Sequence, residues 1–167
     1  MTILATLTPS SDSASEATDA AINRRRRWVS LAVGAPAWAV ISLAALLTPN
    51  PEGVGTHRQL GLGACTILSI TGYPCPMCGM TTTFTHMAHL DPLSALATQP
   101  FGVVLFLGTL SVAILALWEG LSPRGRWDQL LTIVERWDLR IALTLFLGLI
   151  GGWLYKVAAM DLWPLGG

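Results

Sequence analysis

The run Arg24-Arg25-Arg26-Arg27 followed by Trp28-Val29-Ser30-Leu31-Ala32-Val33-Gly34-Ala35-Pro36-Ala37-Trp38-Ala39-Val40-Ile41-Ser42-Leu43-Ala44-Ala45-Leu46-Leu47 decides the architecture. The residues from Trp28 to Leu47 carry no charge. Such a run, about twenty residues long, crosses a hydrocarbon core of ~30 Å as a helix. Pro36 lies inside it, and membrane helices tolerate an internal proline better than soluble ones do. A cleaved signal peptide would have a shorter apolar region and no polar tail of this length, so the run reads as an uncleaved anchor. Upstream, residues 1–23 are rich in Ser, Thr, Ala and acid, which predicts a disordered cytoplasmic tail.

Composition agrees with a membrane chain. Hydrophobic residues make up 52% and charged residues 12%, about half the ~25% charged share of a soluble domain. The four arginines stand without a wider basic surface, which excludes nucleic acid as the partner and leaves the lipid bilayer. Downstream, Thr48-Pro49-Asn50-Pro51-Glu52-Gly53 is a clear break. Further apolar runs predict spans over residues 101–118 and 139–160, after a first span over 28–47. Residues 24–167 thus form a single transmembrane domain. Residues 119–138 are polar, with Trp127, Leu130, Leu131, Val134 and Trp137 at helical spacing. They predict an interfacial amphipathic helix or an early start to the third span. Gly148, Gly151 and Gly152 give that span a small-residue packing face, and Trp153 and Trp163 suit its far interface. With the N-terminus inside, Arg24 to Arg27, Arg124, Arg126, Arg136 and Arg140 lie at the inner side, and Arg58 and Lys156 at the outer. The positive-inside rule therefore places residues 48–100 outside the cytoplasm, with every cysteine and histidine of the chain.

The segment over residues 55–92 carries the chemistry. Leu60 to Ile70 is too short and glycine-rich for a span and reads as an interfacial or re-entrant element. Cys75-Pro76-Met77-Cys78-Gly79 follows, and proline is favoured in a first helical turn, which predicts a helix starting at Cys75-Pro76 and ending at Asp91-Pro92. On that wheel Cys75, Cys78, Thr82, Thr85, His86 and His89 share one face. Met77, Met80, Phe84, Met87 and Ala88 take the other. The apolar side is expected in the bundle, and the polar side either faces water or lines a site.

Three roles are open for the cysteines. A C-P-x-C at a helix N-terminus lowers thiol pKa, so Cys75 and Cys78 could be a redox pair. Cys65, Cys75 and Cys78 could instead hold zinc or copper, with His57 as the fourth ligand. His86 is excluded from that set, since eight residues of helix put it about 12 Å from Cys78. In the third role the pair only shapes a turn, as a local disulfide or as small packed residues. Thr82, His86, His89 and Asp91 are the other polar candidates, and Asp91 reads first as a helix-ending turn. There is no phosphate loop, nucleophile elbow or catalytic carboxylate pair, so the chain reads as a non-enzyme unless the cysteines react.

The stretch Thr71 to Thr82, with Asp91, Ala95, Pro100 and Gly102, resembles a bacterial membrane-protein family that is a domain of unknown function. Its mark is C-P-x-C-G-x-T-R, then an acid, an alanine and an N-P or Q-P turn. The resemblance covers about residues 55–118, and Cys65 is similar to a cysteine often found upstream of the pair. This chain has Thr82 where many members have arginine. The resemblance implies a small multi-span protein of the bacterial inner membrane and no particular activity.

The expectation is therefore an all-α membrane protein. It has about three transmembrane helices and a short amphipathic or re-entrant segment bearing the CPxCG motif outside the cytoplasm. The functional alternatives are a thiol-redox or metal-binding module, and an assembly subunit without chemistry that pairs with a membrane protein or a second copy.

Overall fold

The computed structural model describes residues 11–63 and 65–162. Among these the secondary structure is helical throughout. The elements are α1 (Ser11–Leu46), a 3-10 turn (Thr56–Leu60), α2 (Thr66–Thr71), α3 (Met80–Ala88), α4 (Pro92–Thr98), α5 (Pro100–Leu121) and α6 (Arg126–Leu162). α1, α5 and α6 are each long and apolar enough to cross a membrane, so the chain is an integral membrane protein. The short elements between α1 and α5 carry the cysteines.

Two boundaries differ from the sequence expectation. Residues 11–23 are helical where composition predicts a disordered tail. Ala14, Glu16, Ala17, Ala20 and Ala21 are good helix formers, and extending a helix already nucleated in the span avoids the cost of a new nucleus. At ~1.5 Å per residue, α1 is longer than a hydrocarbon core is thick, so its polar first turns project beyond it. Residues 1–10 and Trp163 lie outside the described residues. The second boundary is that of the third span. It starts at Arg126, so the amphipathic stretch forms the first turns of α6 rather than a separate helix.

α5 is the central element, contacting α1, α3, α4 and α6. Trp38 Nε1 donates to the Ala113 carbonyl at 3.2 Å between α1 and α5. At the arginine end the α5–α6 turn is fastened by Glu119. This fully buried carboxylate accepts from Gly125 N–H at 2.6 Å and from Arg126 Nη1 at 3.3 Å. Arg26 reaches Asp128 at 2.9 Å and buried Trp127 donates to Ser30 Oγ at 2.9 Å, tying α1 to α6. At the other end Phe101 sits against Gly148 and Gly152. A Cβ on Gly152 would stand 2.8 Å from Phe101 Cβ. Gly148 and Gly152 of the small-residue face are thus used within the chain, against the start of α5, while Gly151 has open space beside it. α6 otherwise exposes large apolar side chains such as Leu143, Phe146, Leu147 and Leu154, which suits lipid contact.

Candidate functional site

The chain enters the motif through α2, which ends at Gly72 in the left-handed conformation. Cys75 and Cys78 then lie in a tight turn, with Cys78 N–H donating to the Cys75 carbonyl at 2.9 Å and Met80 N–H to Met77 at 3.1 Å. The helix begins only at Met80, not at Cys75-Pro76. The reason is Gly79, whose φ of 88° is left-handed and incompatible with a continuing helix. A Cβ there would also stand 3.0 Å from the Gly53 carbonyl oxygen. The glycine of the motif is therefore required both by the turn and by the chain passing over it.

On the polar face of α3 the threonines turn inward, and Thr82 lines the cavity at the cysteines. Thr82 and Thr85 of that face, and Thr83 on the opposite side, are buried, at 1%, 0% and 0% exposure. Thr82 Oγ1 shares a 2.8 Å hydrogen bond with Thr56 Oγ1, which itself accepts from Asn50 N–H at 3.1 Å. Thr85 Oγ1 donates to the Thr81 carbonyl at 2.8 Å. Threonine is small enough to bury, and the Thr82 and Thr85 hydroxyls find partners, whereas the buried Thr83 Oγ1 has none among the described residues; α3 is thus packed on both sides. On the apolar side Phe84 meets α5, edge-on to Phe106 at 5.3 Å, whereas Met77 lies before the helix and is exposed.

The three sulfurs of Cys65, Cys75 and Cys78 all lie within 4.8 Å of one another. Cys75 and Cys78 Sγ are 3.4 Å apart. Cys65 and Cys75 are half-buried and Cys78 is buried at 7% exposure. Such a cluster could bind a metal ion. Environment separates the thiols. The Leu68 backbone N–H, in the first turn of α2, outweighs burial and holds Cys65 down to about 7; hydrogen bonds from Cys75 and Cys78 act the same way. Burial, followed by hydrogen bonding with Cys75, pushes Cys78 up to about 12. The sulfurs open on a cavity of about 380 Å³ also lined by Asn50, His57, Arg58 and Thr82.

His57 shares this cavity, and its Nε2 donates to the Gly63 carbonyl at 3.2 Å. That leaves the Nδ1 lone pair of a neutral imidazole uncommitted by this bond. His86 and His89 are elsewhere. His86 Nδ1 is 3.2 Å from Asp91 Oδ2, and His89 Nδ1 donates to the Thr85 carbonyl at 2.8 Å. Asp91 does not only end α3. Its other oxygen caps α4, accepting from Ser94 N–H at 3.1 Å. The Ser94 hydroxyl and N–H together hold its carboxyl below the usual carboxylate range.

Several residues that hold the site are not evident from the motif. Trp153 Nε1 donates to the Pro74 carbonyl at 2.8 Å, and Gln99 Nε2 to the Pro76 carbonyl at 3.2 Å. Lys156 Nζ donates to the Gly53 carbonyl at 3.2 Å. Both prolines of the motif thus present carbonyls to side-chain donors from α6 and from the start of α5. Lys156 had a signal in the sequence, being the one lysine of the chain and set in an apolar run. Trp153 reads as an interface anchor and Gln99 as part of a turn, so neither announces its role.

Residues 65–113 match the family model DUF2752, described as a protein of unknown function. The match begins at Cys65 and runs through the turn and α3 into α5. No curated protein and no solved structure matches the chain.

Proposed function

We propose that this DUF2752 membrane protein binds one soft metal ion, zinc or copper(I), through Cys65, Cys75 and Cys78. The observation that carries the reading is the third sulfur. Cys65 lies across α2 from the pair, yet its sulfur falls within 4.8 Å of both others. A redox pair or a packed turn needs only two cysteines. Two thiolates on one tetrahedral zinc, at bonds of about 2.3 Å, stand about 3.8 Å apart. The 3.4 Å between Cys75 and Cys78 and the 4.8 Å limit on the group bracket that value. Three thiolates are soft donors, which favours zinc or copper(I) over hard cations. A fourth ligand would come from the cavity; His57 lines it, but its ring nitrogens are not among the atoms that converge with the three sulfurs.

Thiol redox is the second reading, supported by the 3.4 Å contact between Cys75 and Cys78. Closing their disulfide would deliver two electrons and two protons to an oxidised thiol partner. The helix starts after both cysteines, and Cys78 is buried, which makes the metal reading the stronger. The basic residues at the arginine end favour that end as cytoplasmic, in a bacterial inner membrane, with the thiol cluster outside.

Elemental analysis of the purified protein tests the proposal. One zinc or copper per chain is expected, with retention reduced or abolished in Cys65→Ser as in Cys75→Ser and Cys78→Ser. A metal-free wild type that instead exchanges disulfides through Cys75 and Cys78 would replace it with the redox reading.

A further inference from the structure

Lys156 is 5% exposed, although lysines at the end of a membrane helix commonly extend their ammonium toward water. Its side chain turns inward, over the motif. Its Cε lies 3.5 Å from where a Gly79 Cβ would be, and its Nζ sits 3.2 Å from the Gly53 carbonyl. Among the described residues no carboxylate forms an ion pair with it. Gly79, over which the side chain lies, directly follows Cys78, so the ammonium sits beside the thiol cluster. A buried charge needs a compensating charge, and a neutral carbonyl supplies none.

Resting on the metal-site reading above, we propose that the Lys156 ammonium is the built-in counter-charge of the metal–thiolate cluster, a positioning residue that makes the bound state electrically balanced. Three thiolates around a divalent ion carry a net charge of minus one, and one ammonium neutralises it. In a poorly solvated setting this balance favours the loaded cluster. The hydrogen bond to Gly53 fixes where the charge sits. That carbonyl is also the atom against which Gly79 turns, so the same side chain sets both the geometry of the motif and its electrostatics.

Charge and hydrogen bonding are separated by two variants. Lys156→Gln keeps an N–H donor and removes the charge, and Lys156→Met removes both. Zinc and copper(I) affinities are measured by competition with a chromophoric chelator, on protein whose helicity and monodispersity match wild type. Both variants are expected to bind ~10–100-fold more weakly, as loss of an outer-shell partner does. Wild-type affinity in either variant would overturn the counter-charge. The wild type provides a second measurement if the variants fail to fold. Protein labelled with ¹⁵N-lysine gives one side-chain signal, because Lys156 is the one lysine. That signal should shift on loading with zinc, and a signal unmoved by bound zinc overturns the proposal. A wild type that binds neither metal overturns the metal site itself, a result distinct from both.

Discussion

In reduced, metal-free protein at pH 7, iodoacetamide should modify Cys65 first and Cys78 last. An ordinary thiol at 9.0 is about 1% thiolate at this pH, whereas Cys65, held down to about 7, is about half ionised. Lower basicity takes back part of that advantage, roughly eight-fold over two units. A net gain of roughly five-fold over a free cysteine remains. Cys78, pushed up to about 12, holds on the order of 10⁻⁵ of its population as thiolate. Even with its greater intrinsic nucleophilicity it should react roughly 50-fold more slowly than a free cysteine, before burial slows it further. The contrast between the two positions is then at least ~100-fold. Time-resolved labelling with peptide mass spectrometry reads all three cysteines in one sample. Equal rates at Cys65 and Cys78, or Cys78 reacting first, would refute the link drawn between the Leu68 N–H, burial and thiol chemistry.

Other consequences follow from the same geometry. Trp153→Phe keeps most of the ring but strips the Pro74 carbonyl of its donor, and should lower stability by ~1–3 kcal/mol in a detergent thermal-unfolding assay while weakening metal binding. Gly152→Ala drives a methyl against Phe101, and a destabilisation of ~1–3 kcal/mol from overpacking should appear in the same assay. Metal affinity should rise with pH, because each bound sulfur must lose its proton, and a chelator-competition series from pH 6 to 8 would show it. The Asp91 carboxyl has a folded pKa below its ordinary value. Its stabilising effect is therefore fully present above about pH 4 and lost as pH falls through the lower folded value. Asp91→Asn should abolish that acid-side slope in a pH series of unfolding midpoints while keeping a capping side chain.

The spans were legible because hydropathy is a local property: Trp28 to Leu47 and Phe101 to Trp118 declare themselves residue by residue. The position of the thiol pair was equally plain. What escaped was set by contacts distant in sequence. The helix fails to start at Pro76 because Gly79 turns under the Gly53 carbonyl, a neighbour that no window around the motif contains. Burial of Thr82 depends on Thr56, 26 residues away. Trp153 and Lys156 reach back 79 and 103 residues to the carbonyls they hold. Cys65 is a ligand candidate by its chemistry, but its convergence on the pair is a product of α2 folding back, which spacing alone does not encode. The histidines illustrate the same limit: His57 comes to the cavity, while His86 and His89 are committed within α3 and its C-terminal turn.

X-ray absorption at the edge of the bound metal tests the central claim most directly, because it counts the sulfur atoms around the ion. The account predicts three sulfurs at about 2.3 Å for zinc, falling to two in Cys65→Ser wherever metal is retained. A sulfur count of two or fewer in the wild type, or a count unchanged in Cys65→Ser, would contradict it.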